Sequence, residues 1–209
     1  MLFIDTRIDA PPADAFAEAK ARGDELVHIP ALRCEPTGVA LHLDDCGAAF
    51  VASPRAAKIA AGALLKYKGA VWAVGKTTAD VLRGSGIPVT REGSTGGAAA
   101  FFAGLRARGI SVPGRIAWIS AMETAENRDG LSREYRCAIM HFPVYRTFPA
   151  DISGETLKNL PRPRTWLFYS GKGVVALRRY LAPEDRVELH GKSAARAGAD
   201  ILKASIMQL

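Results

Sequence analysis

Four short sequence landmarks occur twice in this chain, in the same order and at a nearly constant separation. The matched pairs are Thr6 with Ser120, His28-Ile29-Pro30 with His141-Phe142-Pro143, Ser53 with Ser170, and Gly75-Lys76-Thr77 with Gly191-Lys192-Ser193. The members of each pair lie 113 to 117 residues apart. Order and spacing together indicate an internal duplication, so the chain is predicted to fold as two copies of one unit.

Apolar, strand-like runs alternate with helical patterns along the whole chain. The runs include LFID, ELVHIP, AFVAS, AVWAV, RIAWIS, TWLFYS and RVELH, and CAIMHFPVY is predicted to be a strand that runs into a proline. The intervening segments have helix length, with Gly23, Gly84 and Pro183 as predicted helix ends. This alternation is typical of parallel βαβ units and predicts an α/β fold.

Each landmark lies where a predicted strand ends and a helix begins. Ser53-Pro54 is the clearest example, with serine as the N-cap and proline as the first helical residue. Exposed backbone N–H groups and the helix dipole favour anions at such turns, and ligands usually bind at this edge of a parallel sheet. Simple capping, at about 1 kcal/mol per residue, explains Ser53, Thr77 and Ser193 singly but not the matched set. We therefore expect a ligand site in a cleft between the two copies.

The charge and the cysteine content narrow the function classes. A net charge of +7 favours an anionic partner, such as a phosphate compound, a polycarboxylate or nucleic acid. The basic residues are dispersed and no aromatic–basic pattern accompanies them, so nucleic-acid binding is not expected.

The three cysteines lack CxxC spacing and the four histidines lack HExxH spacing, which predicts reduced thiols and no metal site. With no long apolar stretch and an acidic N-terminal segment, we expect a cytoplasmic protein without membrane contact.

Familiar catalytic motifs are absent from the sequence. Gly75-Lys76-Thr77 resembles the end of a P-loop, but Ala70 stands where that motif needs glycine, and Arg186 does so in the second copy. There is no GxSxG motif either. Tyr145, which follows the second H-x-P landmark, is the main acid–base candidate, although a tyrosine packed on a strand edge is the simpler explanation of its residue type.

The segments that surround these landmarks resemble the uroporphyrinogen-III synthase family over nearly the whole chain. They are Thr6-Arg7 after the first strand, AFVASPRAA (49–57), VWAVGKTTADVLRGSGIPV (71–89), RIAWISAMETA (115–125), PVYRT (143–147), LFYSGKGVVAL (167–177) and LHGKSAARA (189–197). Each motif alone is modest, but their order and spacing are specific.

The resemblance implies two flavodoxin-like lobes, each a parallel β-sheet flanked by helices, joined by a two-strand linker with a cleft between the lobes. It assigns 1–31 and 146–209 to lobe 1, 35–142 to lobe 2, and the linkers to the regions near 30–36 and 142–147. The H-x-P landmarks fit these linkers because a residue before proline is held in an extended conformation.

The resemblance also implies a cofactor-independent lyase that cyclises hydroxymethylbilane, with inversion of the last pyrrole ring and loss of water. Tyr145 would donate a proton to the departing hydroxyl. The substrate-binding residues would be Arg7, Ser53, Lys76, Thr77, Thr78, Ser120, Ser170, Gly171, Lys172, Lys192 and Ser193. The expected partners are this polycarboxylate substrate and, transiently, the preceding enzyme of the pathway.

A second hypothesis is a catalytically impaired family member that binds a tetrapyrrole or another polyanion. Ala194 favours it, because the family pattern has a threonine there in the second G-x-x-T turn. Retention of Tyr145 and of both serine turns favours the synthase. A nucleotide-binding α/β protein is a third alternative, which the incomplete glycine motifs disfavour.

Overall fold

Strands and helices alternate along the chain, as the hydrophobic pattern predicts. The structure is a computed structural model, and it describes residues 1–94, 96–123, 126–191 and 194–199. The chain divides into two units. Unit 1 consists of Met1–Cys34 and the described residues from Phe148 onward, and unit 2 is Glu35–Thr147.

The strands are β1 (Leu2–Asp5), β2 (Glu25–His28), β3 (Leu32–Pro36), β4 (Ala48–Val51), β5 (Ala70–Ala73), β6 (Arg91–Glu92), β7 (Arg115–Ala121), β8 (Ala138–Pro149), β9 (Arg164–Phe168) and β10 (Arg186–Leu189). The α-helices are α1 (Ala13–Ala21), α2 (Pro54–Leu64), α3 (Lys76–Gly84), α4 (Gly97–Ala107), α5 (Arg128–Tyr135), α6 (Gly154–Lys158) and α7 (Gly171–Leu177). Arg178–Tyr180 forms a 3-10 turn, and residues 194–199 are helical. The chain passes from one unit to the other within β3 and within β8.

Unit 1 is built on a four-stranded parallel sheet in the order β10-β9-β1-β2. Ile4, Trp166 and Phe168 alternate along the two central strands and are completely buried. They form a core with Leu157 of α6 and Val174 of α7. Burial of these large side chains is the main force that holds the helices on the sheet.

Unit 2 contains a six-stranded sheet in the order β3-β8-β7-β4-β5-β6. The pairs from β8 to β6 are parallel. All four residues of β4 are buried, because helices cover both faces of the sheet. On one face, Phe50 and Trp118 pack with Phe101 and Phe102 of α4. The predicted α/β class with parallel sheets flanked by helices is confirmed.

The duplicated landmarks occupy equivalent strands in the two sheets. The order β10-β9-β1-β2 in unit 1 corresponds to β5-β4-β7-β8 in unit 2. Ser170 caps the helix after β9 as Ser53 caps the helix after β4, and both serine hydroxyls accept a backbone N–H three residues on. The strand order therefore agrees with the duplication that the spacing predicts, and unit 2 has an additional strand at each edge.

Helix α3 ends at Gly84, the predicted helix end, and the residue with a left-handed backbone after it is Gly86, at φ 78°. The predicted helix end at Pro183 is wrong. Helix α7 ends at Leu177, where the 3-10 turn takes over before Pro183 is reached. Strand β8 continues through Pro143, since the restricted φ of proline is compatible with an extended chain. No helix among the described residues has the length and apolar character needed to cross a membrane.

Candidate functional site

Ser53 occupies the turn between β4 and α2 of unit 2. Its backbone is extended, and its Oγ accepts a hydrogen bond from the Ala56 backbone N–H at 3.0 Å. Pro54 follows as the first helical residue, where its missing N–H is not needed. The predicted N-cap is confirmed, and this arrangement holds the serine hydroxyl at the carboxyl end of the sheet.

Tyr145 reaches the same edge of the sheet through an irregularity in β8. Ser120 of β7 pairs with Pro143, but the next residue, Ala121, pairs with Tyr145, so Val144 is an extra residue in the ladder. Such a β-bulge changes the direction in which the following side chain points. The bulge is held by the Met122 N–H, which donates to the Tyr145 carbonyl at 2.8 Å. Tyr145 is 9% exposed.

The two hydroxyls lie within hydrogen-bonding distance of each other. Tyr145 Oη is 3.2 Å from Ser53 Oγ. Ser53 Oγ accepts a hydrogen bond from the Ala56 N–H, and its own proton can be donated to Tyr145 Oη. In that arrangement the Tyr145 proton is available to a third group.

His141 connects Ser120 to the backbone beside this pair. Its Nε2 lies 2.9 Å from Ser120 Oγ and 3.2 Å from the Ala121 carbonyl oxygen. Burial and the nearby Arg128 guanidinium lower the pKa of His141, although its bond to Ala121 opposes this. The neutral imidazole is therefore favoured in the folded protein.

The first H-x-P landmark has the same role in unit 1. His28 Nε2 lies 2.8 Å from the Arg7 carbonyl oxygen, and Arg7 follows Thr6 as Ala121 follows Ser120. Each repeated histidine therefore binds the carbonyl of the residue after the small hydroxyl residue on the neighbouring strand. The repeated H-x-P pattern indicates that the two histidines have equivalent positions, but residue spacing alone does not identify the carbonyl that each one binds.

A cavity of about 280 Å³ opens at the carboxyl edge of the unit 2 sheet. Its lining consists of Ala52, Ser53, Val74, Ala98, Trp118, Ser120, Ala121, Glu123, Glu126 and Tyr145. Three of the predicted site residues, Ser53, Ser120 and Tyr145, thus share one cavity. The helix α4 begins at the cavity, and Glu126 Oε1 accepts the Ala98 N–H at 3.3 Å.

Trp118 is a member of this lining that sequence reasoning missed. It lies on β7 two residues before Ser120, and the residue is completely buried. Its Nε1 has no hydrogen-bond partner among the residues that the structure describes. A buried indole N–H without a partner is unusual, because such donors normally find an acceptor.

The predicted binding residues of α3 lie on the next turn of unit 2 and do not line this cavity. Lys76 is exposed and pairs with Asp80 at 2.9 Å, and Thr77 is exposed, whereas Thr78 is buried. Gly75 is the N-cap of α3, and no described side chain caps this helix. Its first N–H groups therefore remain available to an external anion.

Arg7 is held by a carboxylate of its own chain in unit 1. Its guanidinium makes two-pronged contact with Asp5, at 2.6 Å for the Nη2–Oδ2 pair, and Asp5 is buried. The hydrogen bond to Asp5 raises the pKa of Arg7. Tyr169 also donates to Asp5, at 3.3 Å, and Arg7 lies over the Tyr169 ring. Neither Asp5 nor Tyr169 was predicted from the sequence as part of a site.

The other predicted residues of unit 1 lie at the start of α7. Ser170 caps the helix by accepting the Gly173 N–H at 3.1 Å, and Gly171 and Lys172 are its first two residues. Lys192 and Ser193 lie outside the described residues. Ala194, where the family pattern has threonine, is completely buried in the unit 1 core. Its counterpart Thr78 is also buried, so this helix position faces the protein interior in both units.

The described residues contain no group of three or more His, Cys, Asp or Glu side chains suited to binding a metal ion. Cys46 and Cys137 are buried, and burial raises the pKa of both thiols. These two cysteines are therefore packing residues with little thiolate at neutral pH.

Comparisons with known proteins show the family of this chain and its fold. Residues 14–203 match the family model described as uroporphyrinogen-III synthase HemD. The uroporphyrinogen-III synthetase of Helicobacter pylori is similar in structure, at 10% identity and a TM-score of 0.63, covering 99% of each chain. A mutant uroporphyrinogen III synthase of Thermus thermophilus matches at 14% identity and a TM-score of 0.52, covering 98% of this chain and 100% of the other. At these identities the solved structures show similarity of fold alone. A comparison with curated protein sequences found no match.

Proposed function

Because this chain belongs to the uroporphyrinogen-III synthase family, a family of heme biosynthesis, we propose that it catalyses the ring closure itself. The substrate is hydroxymethylbilane, the product is uroporphyrinogen III, and the reaction is a cofactor-independent elimination of water. The observation that supports the proposal most directly is the Tyr145–Ser53 hydroxyl pair. It lies in the cavity at the carboxyl edge of the unit 2 sheet, called here the strand-end cavity.

The first step is loss of the substrate hydroxyl. Tyr145 donates its phenolic proton to the hydroxyl oxygen while the C–O bond breaks, and water departs. The electron pair of the pyrrole nitrogen fills the vacancy on carbon and gives an azafulvene. The N–H proton of that ring then returns to the Tyr145 phenolate, so one molecule of water is lost overall.

Ser53 supports this role of Tyr145. A proton that Ser53 donates to Tyr145 Oη stabilises negative charge as it develops on the phenolic oxygen. The serine is held in place by the Ala56 N–H, so it needs no reorganisation during the step. Hydrogen bonds to charged groups are the stronger class, which suits a donor aimed at a developing phenolate.

The later steps depend mainly on geometry. The far end of the azafulvene chain attacks at its substituted carbon to form a spiro intermediate, and fragmentation and reclosure invert the last ring. The unassisted substrate closes without inversion, so the protein must hold one geometry and exclude the other. No residue with a strongly shifted pKa is required for this task.

The carboxylates of the substrate need separate binding positions. Each pyrrole carries an acetate and a propionate, and the N-terminus of α3 offers uncapped N–H groups beside Lys76 and Thr77. Helix starts of this kind bind carboxylates through the backbone and the helix dipole. We assign this turn to a substrate carboxylate. The roles of Arg7, Ser170, Gly171 and Lys172 stay predictions of the resemblance.

The impaired, non-catalytic alternative receives little support from these contacts. Its main argument was Ala194, yet both Ala194 and its counterpart Thr78 are buried, so a threonine at 194 would also face the core. The hydroxyl pair needed for the first step is retained in unit 2.

The test is a product analysis. The protein is incubated with freshly prepared hydroxymethylbilane, the products are oxidised, and the type I and type III porphyrins are separated. We expect the type III isomer to dominate and its rate to scale with protein concentration. Type I isomer alone, formed at the rate of the protein-free control, would contradict the synthase and favour the binding protein.

A further inference from the structure

Strand β10 is an edge of the unit 1 sheet, whereas its counterpart β5 lies inside the unit 2 sheet. Among the described strands β10 pairs with β9 alone, but β5 pairs with β4 on one side and with β6 on the other. With Ser170 matched to Ser53, the strand registers match Val187 with Val71. Val187 is 42% exposed and Val71 is 2% exposed. Within the described residues, one copy of the duplicated unit therefore leaves open an edge that the other copy covers.

The backbone groups that point outward from β10 can be identified from its hydrogen bonds. The His190 N–H donates to a β9 carbonyl at 2.7 Å, so in the alternating pattern of a strand the N–H and C=O of Val187 and Leu189 point away from β9. In unit 2 the carbonyls of the matched residues, Val71 and Ala73, accept N–H groups from the chain around β6 at 2.8 and 2.9 Å. No described residue takes that place beside β10.

β10 lacks the features that usually keep sheet edges from pairing with other chains. Proline, β-bulges and lysine are common means of protection. The four residues of β10 pair with β9 without a register shift, and they include neither proline nor lysine. A regular, exposed edge of this kind can bind another extended segment through its backbone.

The sequence of β10 is complementary to itself in the antiparallel direction. Arg186 and Glu188 flank Val187 and share one face of the sheet, because alternate residues of a strand point to the same side. If a second copy pairs through a two-fold axis at Val187, Arg186 of each copy lies opposite Glu188 of the other. Val187 then forms the hydrogen-bonded pair, and the charged residues form the non-hydrogen-bonded pairs, in which side chains are closest. Opposite charges directly across two strands are favourable.

Both charged side chains are available for this pairing, and no other edge register of unit 1 uses them as well. Arg186 and Glu188 are exposed, and Arg186 has no carboxylate partner among the described residues. Glu188 contacts His190 at 3.6 Å. A two-fold axis at Leu189 would place Glu188 opposite His190 and leave Arg186 without an acid. The other edge strand, β2, has Glu25 as its single acidic or basic residue besides histidine, so it offers no pair of opposite charges.

We propose that β10 is a dimerisation edge that binds β10 of a second copy of this chain in antiparallel orientation. The two unit 1 sheets then form one continuous sheet, in which an antiparallel pair joins two parallel halves. The contact uses the same edge on both copies, so the assembly closes at the dimer. Two short strands bury less than the roughly 1,200–2,000 Å² of a standard interface, so the dimer is weak, and salt weakens its exposed ion pairs. This association requires no substrate and is independent of the proposed function.

Analytical ultracentrifugation of the full chain measures the association, from low-micromolar to near-millimolar protein at low ionic strength. We expect a reversible monomer–dimer equilibrium that shifts toward the monomer as salt is added. A monomer at every concentration would show that the edge is covered within the chain or is used by a different protein, and would overturn the proposal. Growth beyond the dimer would also overturn it, because a two-fold pair leaves no β10 edge free.

A charge exchange tests the register. Arg186→Glu places acidic residues on both sides of Val187, and Glu188→Arg places arginines there, so like charges face each other in either homodimer. We expect each variant alone to dimerise roughly tenfold more weakly, and an equimolar mixture of the two to recover the original affinity as a heterodimer. Arg133→Glu and Asp44→Arg, at exposed positions of unit 2, are the controls for net charge. Equal affinity in the variants and their controls, or no recovery on mixing, would overturn the proposal.

Val187→Pro tests the backbone contact. The Val187 N–H points away from β9, so proline removes no hydrogen bond within the monomer, and edge strands tolerate proline in this orientation. We expect a monomer at all concentrations, with Tm close to that of the unmodified protein. Glu188→Pro is the contrasting variant, because its N–H points toward β9 and its loss should lower Tm. A folded Val187→Pro variant that still dimerises would exclude β10 as the contact.

Discussion

Tyr145 and Ser53, which are 92 residues apart in the chain, place their hydroxyl oxygens 3.2 Å from each other in unit 2. The serine comes from the N-cap of α2, and the tyrosine comes from the residue after a bulge in β8. The same serine oxygen caps a helix and contacts the phenol. Under the proposed function, Ser53 therefore contributes to both stability and activity, and substitutions nearby can separate the two contributions.

Tyr145→Phe removes the proposed proton donor and keeps the aromatic ring. We expect the rate of type III isomer formation to fall about 100-fold, within the range of general acid catalysis, with Tm close to that of the unmodified protein. The measurement is the initial rate by isomer separation. Tyr67→Phe is the matched control, because it removes a hydroxyl that donates to the Cys46 carbonyl outside the cavity. An unchanged rate in Tyr145→Phe would exclude the phenol from the mechanism.

Ser53→Ala removes the cap of α2 and the donor to Tyr145 together. We expect a loss of about 1 kcal/mol in the free energy of unfolding. We also expect roughly a tenfold lower rate, since a hydrogen bond to a developing charge is lost. Ser153→Ala provides the control, because Ser153 caps α6 in the same way and has no proposed part in the site. If both variants lose stability and rate equally, the contact with Tyr145 has no catalytic value.

Arg7→Ala is expected to destabilise the protein more than Asp5→Asn. Asp5 is 1% exposed, so removal of Arg7 leaves a buried carboxylate with its main partner gone, at a cost of about 3 kcal/mol. In Asp5→Asn the carboxylate becomes a neutral amide, and water can solvate the Arg7 guanidinium because that side chain is 37% exposed. Urea unfolding measures both variants, with Arg22→Ala at a surface ion pair as the control. The reverse order would mean that Asp5 does not depend on Arg7.

His141→Gln should reduce the dependence of stability on pH under mildly acidic conditions. The folded protein lowers the pKa of His141 below its ordinary value of about 6.5, so above pH 6.5 the imidazole is neutral in both states. As the pH falls from 6.5 to the lower folded pKa, the unfolded chain binds a proton that the folded chain does not, and stability is lost. Urea unfolding at several pH values should show this slope in the unmodified protein and a smaller slope in the variant. Equal slopes would rule out His141 as their source.

Lys76→Gln tests the assignment of a substrate carboxylate to the start of α3. Lys76 is exposed and pairs only with surface Asp80 among the contacts described, so stability should hardly change. We expect KM to rise severalfold with kcat unchanged, and the difference to shrink at high salt because the interaction is screened. Lys58→Gln, on the exposed side of α2, is the control. Equal KM values for the two variants would remove Lys76 from the site.

Much of the fold could be predicted because its signals are local. Hydrophobic runs of strand length, serine before proline, and glycine after a helix each act within a few residues. Ser53 was therefore predicted as an N-cap, and Gly23 was predicted as a helix end, where its φ of 76° requires glycine. The strand-end position of Ser120 follows from the same patterns.

Which residues form the site was harder to predict from the sequence, because the site depends on contacts between residues that are distant in the chain. Trp118 has the pattern of any core residue, and only its missing hydrogen-bond partner distinguishes it. Asp5 and Arg7 are two residues apart, but their pairing depends on the burial of Asp5 in the sheet. The sequence shows His141 as part of the second H-x-P landmark, but only the pairing of β7 with β8 shows that it contacts the Ala121 carbonyl.

The sequence by itself determined that this chain is a duplicated, parallel α/β protein with small hydroxyl residues at its strand ends. Periodicity and turn chemistry act over short distances, so they need no tertiary information. Tertiary structure alone decided that Ser53, Ser120 and Tyr145 share a cavity while Lys76 lies outside it. The physical reason is strand order and register: β4, β7 and β8 are neighbours in the sheet, whereas Lys76 follows β5. In β8 one extra residue at Val144 changes the direction of Tyr145, because neighbouring residues of a strand point to opposite faces.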